Sequence, residues 1–180
     1  MDIEAKTRRD IDDRLAGLRD RFGSFAIAEE TVENDPEFFA SGRDRAREGW
    51  IGDAGAWVID EDGHALMIRH AESPDQWGVP GGGHEPGETM AETARREVRE
   101  ETGVDCTLTD VIYARRRTVE LATDSAQQFQ MLTVIFEAQY QGGTIEISDD
   151  EVLEARWFAE PPDSLPALID EQVADWSGTG

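Results

Sequence analysis

Three glutamates near the middle of the sequence, Glu97, Glu100 and Glu101, have a spacing that could serve metal-ion chemistry. If this segment is helical, Glu101 lies near +40° and Glu100 near −60° relative to Glu97, since successive residues are about 100° apart. The carboxylates then share one face, where each like-charge pair costs about 0.2–0.5 kcal/mol. A divalent cation would offset this repulsion, and a carboxylate cluster without His or Cys favours Mg²⁺ or Mn²⁺ over zinc.

A helix and a glycine-rich loop are the elements that would position these carboxylates. Thr89 and Glu92 match a capping box and Gly103 is a natural C-terminal stop, so we predict a helix between Thr89 and Gly103. An apolar stripe beside the glutamates indicates that one flank is buried; it consists of Ala91, Ala94 and Val98. The segment from Trp77 to Gly87 is rich in glycine and proline, which predicts a shaped loop without regular structure.

The stretch from Gly82 to Val104 resembles the Nudix box at every defining position. Those positions are Gly82, Glu88, Arg96, Glu97, Glu100, Glu101 and Gly103, with Val98 and Val104 at the aliphatic sites. The lead-in from Trp77 to Gly81 is also similar to that of the family. The resemblance implies a Nudix-type α/β/α sandwich with a mixed sheet.

The resemblance also implies a role for each matching residue. Glu97, Glu100 and Glu101 would bind the metal ions together with the backbone carbonyl of Gly81. Arg96 would orient the glutamates, so Glu97, Glu100 and Arg96 are the catalytic candidates within the box. The structural candidates are Gly82, Glu88 and Gly103.

The activity that the resemblance implies is hydrolysis of a nucleoside diphosphate linked to another group, by water attack at phosphorus. We therefore expect a magnesium- or manganese-dependent hydrolase that acts on a small nucleotide-type substrate. The marks that distinguish several family subgroups are missing from the sequence, and their absence does not select a substrate. A nucleoside triphosphate, ordinary or oxidised, is taken as the default.

An acidic loop and an arginine run supply further candidates outside the box. Glu151 precedes the strand that carries Trp157, where many Nudix sequences place an acidic residue that binds metal or acts as general base; Glu120 is a weaker rival. The alternative for Glu151 is an ordinary acidic loop. Arg115 and Arg117 would face the same way on a strand and could bind a substrate phosphate bidentately. Ion pairs with neighbouring carboxylates are the other interpretation of these arginines.

Three other functions compete with hydrolysis. A non-catalytic nucleotide sensor or regulator on the same fold would have no need of the complete set of glutamates. An isomerase of the prenyl-diphosphate type, which shares the fold, needs a catalytic cysteine, and Cys106 is poorly placed for that role. A P-loop nucleotidase is excluded, because the segment from Gly82 to Thr89 lacks the Gly-Lys-Ser/Thr ending.

Hydrophobic periodicity and turn residues predict the remaining elements. Residues 2–22 form an amphipathic helix, followed by a short strand at 25–28 in an irregular segment. Further strands are predicted at 56–59, 65–68, 107–118, 129–139, 144–147 and 155–158, with a last helix at 165–176. We expect an N-terminal helical extension over residues 1–50 and a Nudix hydrolase domain over residues 51–180. The extension could form a homodimer contact or cover the site.

The charge balance is extreme, with 40 acidic and 17 basic residues and a formal net charge of −23. Nucleic-acid partners require basic patches, so none is expected. No membrane partner is expected either, because no run of about 18 apolar residues exists. The single cysteine and the absence of a secretory pattern predict a cytoplasmic location. The carboxylate excess suggests a halophilic protein, since about 1 M salt screens charges within about 3 Å.

Overall fold

The computed structural model describes residues 2–166 and 169–177. The helices are α1 (Ile3–Phe22), α2 (Pro36–Arg47), α3 (Met90–Thr102) and α4 (Asp170–Ser177). The strands are β1 (Ile27–Asn34), β2 (Gly52–Ile59), β3 (Ala65–His70), β4 (Trp77–Gly78), β5 (Gly81–Gly83), β6 (Val104–Leu121), β7 (Asp124–Gly143) and β8 (Val152–Phe158). Among these residues no helix is both long and apolar enough to cross a bilayer.

The strands of the described residues form one mixed sheet of eight, with the central order β1-β6-β7-β2-β3-β4. β5 pairs with β2, and β8 pairs with β3. β6 and β7 form a long antiparallel hairpin, whereas β1 on β6 and β2 on β7 are parallel pairs. The mixed α/β fold expected from the sequence is confirmed.

Helices cover both faces of the sheet. Because side chains alternate along a strand, Ala54 and Ala56 of β2 lie in the core beneath α3, while Trp57 faces the other way. The Trp57 ring packs edge-on against Trp176 of α4, with 5.3 Å between ring centroids. Helix α3, which carries the glutamates, is thus fixed to one face by its own apolar stripe.

The first fifty residues belong to the same sheet and core as the rest of the chain. Ile11, Leu15 and Leu18 of α1 are buried in the main core, and β1 pairs with β6 along its whole length. Helix α2 was not predicted, although Asp35 followed by Pro36 is a helix-start signal. The Asp35 carboxylate accepts hydrogen bonds from the next backbone N–H groups, at 3.0 and 3.1 Å.

Four other expectations need correction. Residues 144–147 are not a strand: the N–H of Glu146 donates to the Thr102 carbonyl at 2.9 Å, so this segment closes over the end of α3. The predicted loop at 77–87 contains the short strands β4 and β5. The strand expected at 25–28 occupies Ile27–Asn34 instead. The last helix begins at Asp170, later than expected; residues 167 and 168 lie outside the described residues.

Candidate metal centre and active site

Helix α3 begins and ends as its sequence predicts. Thr89 Oγ1 accepts from the Glu92 N–H at 3.2 Å, and the Glu92 carboxylate accepts from the Thr89 N–H at 2.8 Å. At the other end, Gly103 has φ +77°, and a Cβ there would lie 2.6 Å from the Thr144 carbonyl oxygen. The capping box and the glycine stop therefore fix which turns of α3 present the glutamates.

The three glutamates on α3 differ in exposure according to their distance from the apolar stripe. Glu101 lies nearest the stripe and its side chain is 3% exposed, whereas the side chain of Glu97 is 12% exposed and that of Glu100 54%. Burial raises the pKa of Glu101 to about 8 and also raises the pKa of Glu97, because the ionised forms lose water. Two carboxyls that are largely shielded from water on one helix face are the kind of donor set that a divalent cation stabilises.

The Glu101 carboxylate is held from two other elements. The Gly81 N–H donates to Glu101 Oε2 at 2.8 Å, and His70 Nε2 lies 3.1 Å from Glu101 Oε1. His70 ends β3, and sequence reasoning did not single it out. No local signal marks it, since the contact depends on how β3 and α3 pack together.

Gly82 lies against the Glu97 side chain. A Cβ at Gly82 would be 2.6 Å from the Glu97 carboxyl carbon, closer than real Cβ atoms approach any neighbour. Glycine at this position therefore makes room for the carboxylate. This cradle and the all-oxygen donors beside it fit a hard divalent cation.

Arg96 connects the glycine loop to the glutamates. Its guanidinium donates to Glu88 Oε1 at 2.7 Å, to Glu97 Oε1 at 2.7 Å and to Glu100 Oε2 at 3.1 Å. It also donates to the Gly83 carbonyl at 2.8 Å. These contacts place the Arg96 guanidinium between the glycine loop and two of the three glutamates.

Two side chains donate hydrogen bonds to the Glu88 carboxylate. Its carboxylate accepts from Arg96 and, at 2.7 Å, from Thr93 Oγ1, and the hydrogen bond from Arg96 is the main reason that its pKa falls to about 2. Its backbone carbonyl contacts His84 Nε2 at 2.8 Å and accepts from Arg14 Nη1 at 2.9 Å. Arg14, on α1, was not anticipated from the sequence, and nothing local distinguishes it from the other arginines of that helix.

The acidic loop before β8 faces the glutamates. The charges of Asp149 and Glu151 contribute to the raised pKa of Glu101, and Asp149 also acts on Glu97. The Glu151 carbonyl accepts from Ala71 N–H at 2.8 Å, which ties the loop to the end of β3. Asp149 is therefore a further candidate, beside Glu151, for metal binding or for the general base. The sequence alone did not distinguish Asp149 from its acidic neighbours.

Glu120, the weaker rival of Glu151, lies away from the glutamates of α3. It is near the closed end of the β6–β7 hairpin, in register with Gln128.

Burial raises the pKa of the Cys106 thiol to about 11, so this cysteine is a weak nucleophile.

Arg115 and Arg117 point to the same side of β6, as predicted. Both interact with Glu30, Arg117 Nε at 2.8 Å and Arg115 Nη1 at 3.6 Å. Arg115 Nη2 also donates to Thr133 Oγ1 at 3.4 Å, while Arg115 Nε is buried without a hydrogen-bond partner among the described residues. Arg115 thus keeps a free donor, whereas the Nε of Arg117 is used by Glu30.

A second acidic group lies in the turn between β2 and β3. Within the described part of the chain, one group of three or more Asp, Glu, His or Cys side chains has metal-ligand atoms that all lie within 4.8 Å of one another. This group consists of Asp60, Asp62 and His64. Asp60 Oδ1 accepts from the backbone N–H groups of Asp62 and His64, at 2.9 and 2.8 Å. The turn accounts for this convergence, so it is not evidence for a metal.

Comparison with known proteins places this geometry in a family. The Nudix domain model matches residues 51–175. Nucleoside triphosphatase NudI of Salmonella agona (strain SL483) is 36% identical over 125 residues, which cover 65% of this chain and 86% of that protein. NudI of Escherichia coli (strain K12) is 32% identical over 101 residues, covering 52% and 72% respectively.

Solved structures show the same fold. The MutT Nudix hydrolase of Burkholderia pseudomallei superimposes with a TM-score of 0.52 at 22% identity, covering 69% of this chain and 95% of that one. A UDP-X diphosphatase gives a TM-score of 0.51 at 18% identity and covers 97% of this chain and 91% of that one.

A glutamate-bearing helix behind a glycine loop, on a mixed sheet, defines a Nudix-type fold, and the chain belongs to the Nudix family. It is a Nudix hydrolase, an enzyme that acts on acid anhydrides. The fold class and the family expected from the sequence are confirmed.

Proposed function

We propose that this enzyme cleaves a diphosphate linkage in a nucleoside triphosphate and requires Mg²⁺ or Mn²⁺ to do so. The observation that carries the proposal is the buried Glu101 carboxyl beside Glu97, an arrangement whose ionised form is costly unless a cation neutralises it. The substrate class is supported by the relatives, which are named nucleoside triphosphatases.

The residues that would hold the cation are Glu97, Glu100 and Glu101, with the backbone carbonyl of Gly81. When bound, a divalent cation supplies neutralisation of phosphate oxygens and a lower pKa for water. Arg96 keeps Glu97 and Glu100 pointed toward the same side of α3 through the contacts described above. The Gly81 N–H and His70 fix the two oxygens of Glu101.

A cavity next to the glutamates is a place for the nucleoside. It has a volume of about 270 Å³ and is bordered by Ile68, His70, Trp77 and Val79, among others. His70 is shared between this cavity and Glu101, so a substrate whose diphosphate lies at the glutamates could extend into it. The mixture of an aromatic ring, aliphatic groups and polar edges suits a nucleobase and sugar.

Of the two arginines, Arg115 is proposed as the phosphate ligand, because it lies 3.6 Å from Glu30 whereas Arg117 is held by Glu30 at 2.8 Å. Glu151 is proposed as the general base, since its charge acts on Glu101 and its side chain is exposed to solvent. Asp149 is the alternative base, because it acts on both buried glutamates.

The test is release of phosphate or pyrophosphate from a panel of nucleoside triphosphates, diphosphates and diphosphate-linked compounds. The assay uses Mg²⁺ or Mn²⁺ in about 1 M salt, which screens the acidic surface, and compares the wild type with Glu97→Gln and Glu100→Gln. We expect cleavage of a triphosphate by the wild type and a loss of about 10²-fold or more in the variants. Glu61→Gln, at an exposed carboxylate in the β2–β3 turn, is the matched control and should keep full activity.

Binding without cleavage by a folded wild-type protein would favour the sensor alternative over hydrolysis. Cleavage that persists after prolonged chelation would refute the metal requirement. Cleavage confined to diphosphate-linked compounds would support the hydrolase activity but refute nucleoside triphosphates as the substrate class.

A further inference from the structure

Arg14, on α1, contacts the loop between β5 and α3 from outside the segment that the Nudix model matches, which is residues 51–175. Its Nη1 donates to the backbone carbonyl of Glu88 at 2.9 Å, across 74 residues of sequence. The side chain is half-buried between α1 and the beginning of α3, and burial lowers the pKa of Arg14. A half-buried guanidinium that donates to a loop carbonyl has a specific orientation, unlike a solvated arginine.

The Glu88 carbonyl has a second contact that completes its hydrogen bonding. His84 Nε2 lies 2.8 Å from the same oxygen, and His84 is 3% exposed. A carbonyl oxygen has two lone pairs, so Arg14 and His84 together use both of them. The backbone at Glu88 is therefore fixed on one side by α1 and on the other by the loop itself.

The side chain of Glu88 leads from this anchored backbone to the glutamates. Arg96 donates to both Glu88 oxygens, at 2.7 and 3.1 Å. The same guanidinium donates to Glu97 and Glu100, at 2.7 and 3.1 Å. Arg14 is thus two residues away from the carboxylates, through contacts that are all within hydrogen-bonding distance.

We propose that Arg14 is a positioning residue for the hydrolytic site: it anchors Glu88, and through Glu88 and Arg96 it fixes Glu97 and Glu100. The proposal rests on the proposed function of that site. It gives α1 a task beyond filling the core, because the helix supplies a hydrogen bond that the matched domain does not contain. The expected consequence of losing Arg14 is a weaker hold on the cation with little change in global stability.

The variants separate the hydrogen bond from the packing. Arg14→Met keeps the aliphatic stem and removes every donor, whereas Arg14→Lys retains a charged donor group, an ammonium with three N–H donors. Arg21→Ala is the matched control. Arg21 lies two turns further along α1, and Arg14 and Arg21 both border a cavity of about 520 Å³. Its guanidinium stacks on Phe22, and no hydrogen bond joins it to the loop among the described residues.

Three measurements make the test independent of turnover. Amide hydrogen exchange of residues 83–88 reports the anchoring of the loop directly. Mn²⁺ titration followed by electron paramagnetic resonance reports affinity for the metal alone, and urea unfolding reports stability. For Arg14→Met we expect exchange faster by about 10-fold and Mn²⁺ affinity weaker by about 10-fold. Arg14→Lys should recover part of both effects, and Arg21→Ala should resemble the wild type.

Activity provides a fourth measurement once a substrate is known. Arg14→Met should need a higher Mg²⁺ concentration for half-maximal kcat, with an unchanged KM for the nucleotide at saturating metal. Unchanged exchange at residues 83–88 in a folded Arg14→Met protein would overturn the proposal, as would equal effects in Arg21→Ala. A wild type that binds Mn²⁺ but cleaves no nucleotide would refute the proposed function, while the exchange result would still decide the role of Arg14.

Discussion

The carboxyl carbon of Glu97 lies only 2.6 Å from the position that a Cβ at Gly82 would occupy. The Glu97 carboxylate is held at this place by its hydrogen bond with Arg96, at 2.7 Å, so a Cβ at Gly82 would have to displace it. A side chain at Gly82 would therefore disturb the candidate metal centre before it disturbed the fold.

Gly82→Ala is accordingly expected to lower Mn²⁺ affinity and metal-dependent activity by about 10- to 100-fold, the range found for residues that orient metal ligands. Titration of the variant with Mn²⁺ measures this. Gly142→Ala is the control, because a Cβ there meets nothing within 4 Å. Equal affinities of Gly82→Ala and wild type would show that Glu97 adjusts freely or does not bind the metal.

The raised pKa of Glu101 predicts a pH-dependent stability of the metal-free protein. Burial raises this pKa from 4.5 to about 8, and Glu97, Asp149 and Glu151 add to the effect. Between these two pH values the folded protein keeps the proton on Glu101, whereas the unfolded chain releases it. The unfolded state then binds fewer protons, so the free energy of unfolding falls as pH rises through this window.

Urea unfolding in the presence of a chelator, at several pH values from about 4.5 to about 8, measures this slope. Glu101→Gln removes the titration while keeping volume and a hydrogen-bond acceptor, so its stability should fall less steeply than that of the wild type. Parallel curves for the two proteins would mean that Glu101 does not titrate in this range.

The capping box at the start of α3 predicts a loss of stability in Thr89→Ala. The substitution removes the acceptor of the Glu92 N–H, a contact of 3.2 Å. Loss of such a cap costs about 0.5–2 kcal/mol of the free energy of unfolding. Thr89→Ser keeps the hydroxyl and should retain most of the stability. The urea unfolding midpoints of the two variants and the wild type measure this loss of stability. A Thr89→Ala protein as stable as the wild type would contradict the prediction.

The charge of −23 predicts that salt stabilises the protein. The Debye screening length falls from about 10 Å at 0.1 M to about 3 Å at 1 M ionic strength, and this reduces the repulsion among exposed carboxylates. The free energy of unfolding should therefore rise between these two KCl concentrations. The idea that the protein is halophilic fails if stability and activity are both highest in dilute buffer.

Local rules were sufficient for the helix that carries the site. The start and end of α3, its buried stripe and the grouping of Glu97, Glu100 and Glu101 on one face depend on residues within a few turns of each other. Helical geometry relates such residues by a fixed angle, so their spacing in the sequence already determines their relative positions. The common direction of Arg115 and Arg117 follows in the same way from the alternation along a strand.

Local patterns failed where packing overrides propensity. Residues 144–147 have the composition of a strand, yet the chain here passes so close to Gly103 that it bonds to the end of α3 instead of extending the sheet. Helix α2 was overlooked because its start signal, Asp35 before Pro36, is followed by a short apolar group at Phe38 and Phe39 and then by a mainly polar segment.

The sequence by itself determined the family, the proposed acidic donors and the helix that presents them. Only the tertiary structure decided which residues hold those donors from a distance: His70 beside Glu101, Arg14 on the Glu88 carbonyl, and the acidic loop at Asp149. The physical reason is that these contacts join elements far apart in the chain. Their existence depends on how the sheet and helices pack together, and no local spacing records that packing.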